Sequence, residues 1–278
     1  MIGRDCEVLD TITAPVNPFD VEDLALGRDG RLWLADTGDN GRSRETVALH
    51  VVSQNGDAEL FRLTYPDGKH DAEAILLTPD GVPYIVTKET IGSALVYRPT
   101  APLAAGATGT MEQVARVSIA GTDTPGGPLE SSVVTRVVTG GAVSHDGKVI
   151  ALRTYTDAYL FPVPNGDFVT ALDSDPVSIP LPNEEQGEAI TFDPDGTLLS
   201  ASEFGKATTS TITAVAAATA LATPPAPPPT TPEPAPTGDA SAAPLPPTNK
   251  TEPWPVIGIG AAALVLIAAL VRRTRRKA

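Results

Sequence analysis

One short pattern recurs four times in this chain, and the repeat restricts the fold more than any other feature of the sequence. The first copy, VEDLALGRDGRLWLADTGDN from residue 21, consists of two apolar runs joined by Asp-Gly, with acidic residues near both ends. Glycine tolerates the positive φ of a tight turn, so each copy predicts a β-hairpin. The four Asp-Gly pairs begin at Asp29, Asp80, Asp146 and Asp195.

The spacing of the hairpins predicts an all-β fold, a β-propeller with about four visible four-stranded blades. The Asp-Gly pairs are 51, 66 and 49 residues apart, which is a blade-like period. Two more strand-like runs follow each of the first three hairpins. Residues 99–132, which are rich in Gly, Pro, Thr and Ala, are predicted to form the surface loop that explains the long interval. An open β-sandwich or a β-solenoid is the alternative. The added runs are TVALHVVS and AELFRLTY, SALVYRP and MEQVARVSI, and AYLFPVP and DPVSIPL.

Composition divides the chain into a propeller domain, residues 1–206, and three following segments. The Ala-, Thr- and Pro-rich residues 207–253 cannot bury a core and predict a disordered stalk. The uncharged residues 254–271 are just long enough to span a bilayer as a helix. The basic tail, residues 272–278, favours the cytoplasmic side. The chain is therefore predicted to be a single-pass protein of the cell membrane, with its propeller extracytoplasmic and its C-terminus cytoplasmic.

The N-terminus lacks the apolar core of a signal peptide, although an exported domain needs a signal. The run CEVLDTIT, residues 6–13, is typical of the outer strand of an earlier blade. The sequence therefore predicts that a signal and most of one blade precede Met1, that the ring of blades is gapped, and that the fourth blade is poorly ordered after Glu203. The alternative is that the membrane helix itself directs export.

The overall charge excludes one class of ligand. The formal net charge is −14, and without the five cations of residues 272–278 the remaining 15 Lys and Arg face 34 Asp and Glu, a net charge of −19. Nucleic acid is bound through a basic surface, which the rest of this chain lacks. Cys6 is the only cysteine in the sequence, so no intrachain disulfide or Cys-x-x-Cys site is possible within it.

The acidic residues at the ends of the hairpins are predicted to meet on one face. The first two strands of a blade are antiparallel, so the start of the first and the end of the second lie at the same rim. Residues that begin first strands are Glu22, Asp23, Asp71, Glu73 and Glu188, and residues that follow second strands are Asp36, Asp39, Asn40, Lys88, Glu89, Asp157 and Glu203.

Converging carboxylates repel one another and are tolerated when a cation neutralises them. Calcium, which takes six to eight hard oxygen ligands, is the candidate, with Glu22, Glu73 and Glu188 as its carboxylates. The alternative is that the acids cap turns and pair internally with Lys88, Arg42, Arg44 or Arg153. Of the three histidines, only His70 is predicted to lie near the rim.

The segments EDLALGRDGRLWLADTGDNGRSRETVALHVV and YPDGKHDAEAILLTPDGVPYIVTKE resemble a group of largely uncharacterised bacterial propeller proteins that are secreted or membrane-anchored. The group in turn resembles phytase-like and NHL-type propellers. The resemblance covers about residues 5–203, and its most specific features are DTGDN and DAEA. It implies a propeller ectodomain at a bacterial cell surface, and it implies no reaction.

Two functions follow from these predictions. The first is a binding or scaffold module that holds an extracellular protein, glycan or peptide on its acidic rim. The second is a calcium-dependent hydrolase of a phosphate ester or a lactone. The sequence contains no nucleophile elbow, P-loop or His-Glu-x-x-His motif that would indicate another chemistry.

Overall fold

The structure is a computed structural model, and it describes Met1, Gly3, Asp5 and residues 7–129, 131, 133–203 and 211–222. The predicted membrane helix, residues 254–271, and the basic tail lie outside the described residues, as do Cys6 and most of the stalk. No helix in the described part of the chain is long and apolar enough to cross a membrane.

The described chain is all-β and propeller-like. Its strands form four consecutive antiparallel groups, which we call blades 1 to 4. Blade 1 contains β1 (Asp23–Leu26), β2 (Leu32–Asp36), β3 (Val47–Val52) and β4 (Ala58–Thr64); blade 2 contains β5 (Ala72–Leu77), β6 (Pro83–Thr87), β7 (Ala94–Pro99) and β8 (Thr108–Val117). Blade 3 contains β9 (Val138–Val143), β10 (Val149–Thr154), β11 (Asp157–Pro162) and β12 (Val177–Pro180); blade 4 contains β13 (Gln186–Phe192), β14 (Leu198–Glu203) and β15 (Ile212–Val215).

The Asp-Gly pairs form the turns that the repeat predicts. Each turn joins the first two strands of its blade, and its glycine has a positive φ of 76° to 87°. This backbone conformation is free of steric cost only for glycine, which explains why the pair recurs. The strand runs that the sequence indicated after each hairpin are confirmed.

The blades pack through apolar layers between neighbouring sheets. Alternate residues of one strand face opposite layers, so in β5 Ile75 packs against blade 1 while Leu76 packs against blade 3. Trp33 and Phe61 stack in the layer between blades 1 and 2. The short helix α1 (Phe168–Leu172) packs into the layer between blades 2 and 3, and α2 (Ala218–Ala222) packs into the layer between blades 3 and 4.

The first strands of the blades lie side by side, with β5 touching both β1 and β9, and β9 touching β13. Asp23 joins three of them, because its Oδ2 accepts the N–H of Ile75 at 2.8 Å and that of Gly141 at 3.2 Å. Burial raises the pKa of Asp23 to about 7, although these N–H groups oppose the rise. Asp23 therefore holds blades 1, 2 and 3 together instead of facing a ligand at the rim.

Two features of the sheets differ from a regular array of blades. The outer strands of blades 1 and 2 pair in parallel, Arg62–Thr64 with Thr108–Thr110, which joins both blades into one eight-stranded sheet. Residues 99–132 are consequently not a continuous surface loop, because β8 occupies their middle.

Blades 1 and 4 face each other across a cleft of about 640 Å³. Within the described residues, no strand of blade 4 pairs with a strand of blade 1. Blade 4 has a third strand, β15, and the segment immediately after Glu203 lies outside the described residues. Both β15 and α2 lie within residues 207–253, so the first part of the predicted stalk is folded against the propeller domain. Thr13 lies against the β3–β4 turn, where a Cβ at Gly56 would collide with its carbonyl oxygen.

Candidate cation site on the acidic rim

Three acidic side chains from blades 1 and 2 meet at one end of the first strands. Glu22 directly precedes β1, Asp71 directly precedes β5, and Glu73 lies in β5. One carboxylate oxygen from each lies within 4.8 Å of the others. The set overlaps the predicted calcium ligands, with Asp71 in the place predicted for Glu188.

A β-bulge directs Glu73 to this site. The register of β5 against β6 shifts between Ala72 and Ala74, so that Glu73 is an extra residue in its strand. The same shift occurs in β13 between Gly187 and Ala189, around Glu188. A bulge turns a side chain away from the regular alternation, and bulges are common beside functional sites.

A fourth carboxylate stands next to the three. A Cβ atom at Gly38 would collide with the carboxylate oxygens of both Asp20 and Glu22, so both groups crowd against the same stretch of backbone. Asp71 and Glu73 are buried and Glu22 is half-buried. The cluster thus runs from a closed interior side to a solvent-facing side at Glu22.

Burial and mutual repulsion shift the pKa values of this cluster upward. Burial, followed by the neighbouring charges of Asp20 and Asp71, raises the pKa of Glu22 to about 7. Burial also raises the pKa of Glu73 to about 8; Lys88 opposes this, while Glu22 and Asp71 add to it. The folded chain therefore holds negative charge here at a cost, which a bound cation would remove.

Lys88 is the cation of the protein itself at this site. Its ammonium forms a short ion pair with Oε1 of Glu73 and lies 5.4 Å from the centre of the Tyr155 ring. Burial alone would lower the pKa of Lys88, but the carboxylate of Glu73 raises it. One ammonium cannot neutralise the carboxylates of Asp20, Glu22, Asp71 and Glu73 together.

Three buried polar atoms in the described part of the chain have no hydrogen-bond partner: Tyr65 hydroxyl, His70 Nδ1 and Glu73 Oε2. All three belong to the short stretch that contains Asp71. A buried polar atom without a partner costs free energy, and such atoms are uncommon in native structures. Of the three atoms, Glu73 Oε2 belongs to the acidic cluster itself, so one carboxylate oxygen of the cluster has no donor among the described residues.

Other predicted rim residues are satisfied within the protein. Asp36 accepts the N–H groups of Phe19 and Asp20 at 3.1 and 2.9 Å, and it pairs with Arg44 at 2.9 Å and His50 at 3.1 Å. Burial would raise the pKa of Asp36, but these donors outweigh it and hold the pKa below its usual range. Asp36 is thus a structural carboxylate.

The loop after β2 is organised in the same way. Asp39 accepts the N–H groups of Ser43 and Arg44 at 2.8 and 2.9 Å, and its own N–H donates to Asp71 Oδ1 at 2.8 Å. This last bond positions Asp71 for the cluster. The neighbouring Asn40 is exposed and lies outside the group of three converging carboxylates.

The remaining predicted residues are dispersed. Glu89 pairs with Arg42 at 2.8 Å, and Glu203 accepts a hydrogen bond from Gln186 at 3.1 Å. Asp157 is fully buried and accepts hydroxyl hydrogen bonds from threonines. Glu188 stands apart from the three converging carboxylates; burial, followed by the charge of Glu203, raises its pKa.

Sequence reasoning missed Asp20, and it named Arg153 only as one of four possible internal partners of the acids. Asp20, which crowds against Glu22, precedes the repeated pattern and gave no periodic signal. Arg153 is fully buried and bonds to Glu184 and Ser200, both at 2.7 Å. A Cβ at Gly187 would collide with its guanidinium, so the small residue before Glu188 was the available signal for this arginine.

No protein-family model matches the sequence, and no curated protein is significantly similar to it. The chain is similar to a solved protein from Bacteroides uniformis assigned as a 6-phosphogluconolactonase, with 15% identity over 73% of this chain and 57% of that chain at a TM-score of 0.39. A gluconolactonase from Xanthomonas campestris has 13% identity over 70% and 58%, at a TM-score of 0.40. A protein from Agrobacterium tumefaciens assigned as TolB has 18% identity over 70% and 57%, at a TM-score of 0.37.

This chain spans less than three fifths of the length of those solved structures. TM-scores of this size assign neither a family nor an activity, so the function has to be derived from the site. The resemblance to anchored bacterial surface propellers likewise stays a prediction.

Proposed function

We propose that the protein binds a divalent cation at Glu22, Asp71 and Glu73 and uses it to hold an oxygen-bearing ligand on the acidic rim. The observation that carries the proposal is Glu73 Oε2, a buried carboxylate oxygen without a partner, beside two further carboxylates within 4.8 Å. A cation would give that oxygen a partner and would relieve the repulsion that raises the pKa values of Glu22 and Glu73.

Calcium fits this donor set best. The converging ligands are carboxylate oxygens, and the group contains neither histidine nor cysteine, the residues that zinc and other transition metals favour. Calcium also accepts irregular geometry and six to eight oxygens, so water or ligand oxygens would complete the shell. The half-buried Glu22 marks the side on which those positions face solvent.

A second candidate function is calcium-dependent hydrolysis of an ester or lactone. It is favoured by Glu188, a half-buried carboxylate that stands outside the group of three but lines the same cleft as Glu22. A bound cation polarises a carbonyl group. Burial and Glu203 raise the pKa of Glu188, which moves it toward the range that suits a general base at neutral pH.

Calorimetric titration of the full chain with CaCl₂ tests the proposal. We expect one calcium per chain and at least a tenfold loss of affinity in Glu73→Gln. The matched control is Glu112→Gln, which makes the same change in blade 2 at an exposed ion pair with Arg98. Equal calcium affinity in wild type and Glu73→Gln would refute the site.

The variant Glu188→Gln distinguishes the two candidate functions. If the protein is a hydrolase, this variant binds calcium normally and loses hydrolysis of a test lactone. A wild-type protein that binds calcium and hydrolyses neither esters nor lactones is a binding module.

Anchoring is a further part of the proposal. Residues 254–271 would cross the cell membrane, with the four-bladed propeller domain outside and residues 272–278 in the cytoplasm. The support is the uncharged run and its basic flank. Removing residues 250–278 should convert a protein that needs detergent into a water-soluble one, and a truncated product found only in membranes would contradict the anchor.

A further inference from the structure

A second cleft, which we call the turn-side cleft, lies between blades 1 and 2. Its volume is about 750 Å³, and the Asp-Gly turns at Asp29 and Asp80 form part of its mouth. These turns lie at the opposite ends of the first strands from the acidic rim. Blades 1 and 2 pack against each other and are joined by the β4–β8 pair, so this cleft is separate from the one between blades 1 and 4.

The floor of the turn-side cleft holds a hydrogen-bond donor without a partner. Trp33 is 6% exposed, and its ring stacks against Phe61 with 6.4 Å between the ring centres. The indole N–H of Trp33 opens to the cleft and donates to no group among the described residues. Gly27 leaves this atom open, because a Cβ at that position would lie 3.2 Å from Nε1. Buried tryptophans usually donate to an acceptor, so the cleft offers an unused donor.

Four prolines stand in the walls around this donor. Pro79 and Pro83 flank the Asp-Gly turn of blade 2, and Pro99 and Pro102 lie at the end of β7 and after it. Proline has no backbone N–H, so these positions present apolar rings and no backbone donor. The cleft therefore favours a ligand that is apolar along its sides and carries a hydrogen-bond acceptor for Trp33.

The charges at the mouth of the cleft are largely paired within the protein. Three arginines and four carboxylates line it. Arg31 pairs with Asp29 at 2.7 Å and with Glu59 at 2.8 Å, and Arg98 pairs with Glu112 at 2.9 Å. Because these charges nearly cancel, they attract neither an anion nor a cation strongly. An uncharged ligand fits this arrangement best.

We propose that the turn-side cleft binds the uncharged proline-rich run of a second copy of this chain, residues 223–232. The run TPPAPPPTTP contains six prolines and no charged residue. Such segments favour the extended polyproline II conformation, which has no internal hydrogen bonds and leaves its carbonyl groups free. One carbonyl accepts the Trp33 N–H, and the prolyl rings pack along the walls, as in other aromatic-lined grooves that bind proline-rich peptides. The inference is independent of the cation site.

A labelled peptide with the sequence of residues 223–232 tests the ligand. Its binding to the full chain is followed by fluorescence anisotropy, and the control peptide carries alanine at every proline position. We expect the proline-rich peptide to bind at least tenfold tighter, because its prolines pre-organise the extended conformation. Equal affinities, or no binding of either peptide, would overturn the proposal.

Two substitutions localise the contact. Trp33→Phe keeps an aromatic ring and removes the donor, and Gly27→Ala places a methyl group against Nε1. Each should weaken peptide binding about tenfold, as expected when a buried hydrogen bond is not made. Gly41→Ala is the matched control, since a Cβ there lies outside the cleft and meets nothing closer than Ser43 Oγ at 3.8 Å. Unchanged peptide affinity in both test variants would place the peptide elsewhere and overturn the proposal.

The indole N–H itself gives a direct readout that leaves the cleft intact. The sequence has two tryptophans, so Trp254→Phe in ¹⁵N-tryptophan-labelled protein leaves one indole resonance, that of Trp33. We expect this resonance to shift downfield when the peptide is added, because the N–H begins to donate to a carbonyl. A resonance that does not move at saturating peptide would contradict the contact with Trp33.

Sedimentation of the full chain tests the second copy as the source of the run. Each chain carries both a cleft and a run, so the contact is heterologous and links chains head to tail. We expect association that grows with protein concentration and is abolished by excess free peptide and by Gly27→Ala. A chain that stays monomeric while it binds the free peptide, or association that persists in Gly27→Ala, would overturn the second copy as the occupant.

Discussion

Two sets of carboxylates occupy the same rim in opposite surroundings. Asp36 and Asp39 are met by backbone N–H groups and by Arg44, and their pKa values lie below the usual range because these donors outweigh burial. Glu22 and Glu73 face burial and other carboxylates, and their pKa values are raised. The first set has all the donors that it needs within the protein, whereas the second set lacks them. We propose that carboxylates of the second kind bind a cation from outside the protein.

The largest expected effect comes from neutralising Asp36, a carboxylate whose donors all lie within the protein. In Asp36→Asn, the buried His50 and the partly buried Arg44 lose an ionised partner. We expect the free energy of unfolding to fall by ~3 kcal/mol, as for other broken buried ion pairs. Urea denaturation measures it. Asp29→Asn, which breaks an exposed ion pair with Arg31, serves as control and should change little. Equal effects in both variants would remove the distinction.

Calcium should stabilise the folded protein through Glu22 and Glu73, and it should not act through Asp36 and Asp39. At a free concentration of about 100 times the dissociation constant, binding to the folded state adds ~2.7 kcal/mol to the free energy of unfolding. Thermal or urea unfolding with and without CaCl₂ measures the gain in wild type, Asp29→Asn and Glu73→Gln. The gain should be lost in Glu73→Gln alone. A gain that persists in Glu73→Gln means that calcium binds at another place.

The pH dependence of stability should have opposite signs for the two sets. Glu22 and Glu73 bind protons more tightly in the folded chain, so the free energy of unfolding in chelator should fall as pH rises from about 4.5, their unfolded value, to about 8. Asp36 has a lowered folded pKa, so its stabilisation is present above about pH 4 and is lost in stronger acid. Urea denaturation at pH values from 3 to 9 measures both pH dependences. In CaCl₂, the fall in the free energy of unfolding between about pH 4.5 and pH 8 should become smaller. A stability that rises from pH 5 to pH 8 in chelator would contradict the account.

The smallest expected effect comes from removing the charge of Glu22, one of the two carboxylates whose pKa is raised. Glu22→Gln should raise the free energy of unfolding at pH 8 in chelator by ~1 kcal/mol, a value discounted because the half-exposed group is screened by solvent. The cause is the loss of repulsion from Asp20 and Asp71. Glu112→Gln provides the baseline for a neutralised glutamate in urea denaturation. A clear loss of stability in Glu22→Gln would mean that Glu22 is structural.

The hairpins and the strand order could be predicted from the sequence because both depend on local signals. Asp-Gly fixes each turn, and apolar runs of strand length follow it at a blade-like period. The common rim follows from the antiparallel pairing of the first two strands, which explains why Glu22, Asp71 and Glu73 were all among its predicted members.

The division of that rim could not be predicted in the same way. Asp36 is satisfied by His50 and Arg44, whose approach depends on the pairing of β2 with β3 and on the path of the following loop. Glu73 reaches the cluster through a bulge, and a register shift leaves little trace in the composition of a strand. Local patterns identified the candidate carboxylates, and the donors that distinguish them come from tertiary structure.

The most direct measurement of the central claim is a crystal structure of the protein grown in CaCl₂, with anomalous diffraction to locate the ion. The account predicts one anomalous peak on the rim, with oxygens of Glu22, Asp71 and Glu73 at about 2.3–2.6 Å from it, the distance typical of calcium. Glu73 Oε2 would then have a partner. A structure without a peak at this position, in which Lys88 remains the only cation in contact with Glu73, would contradict the account.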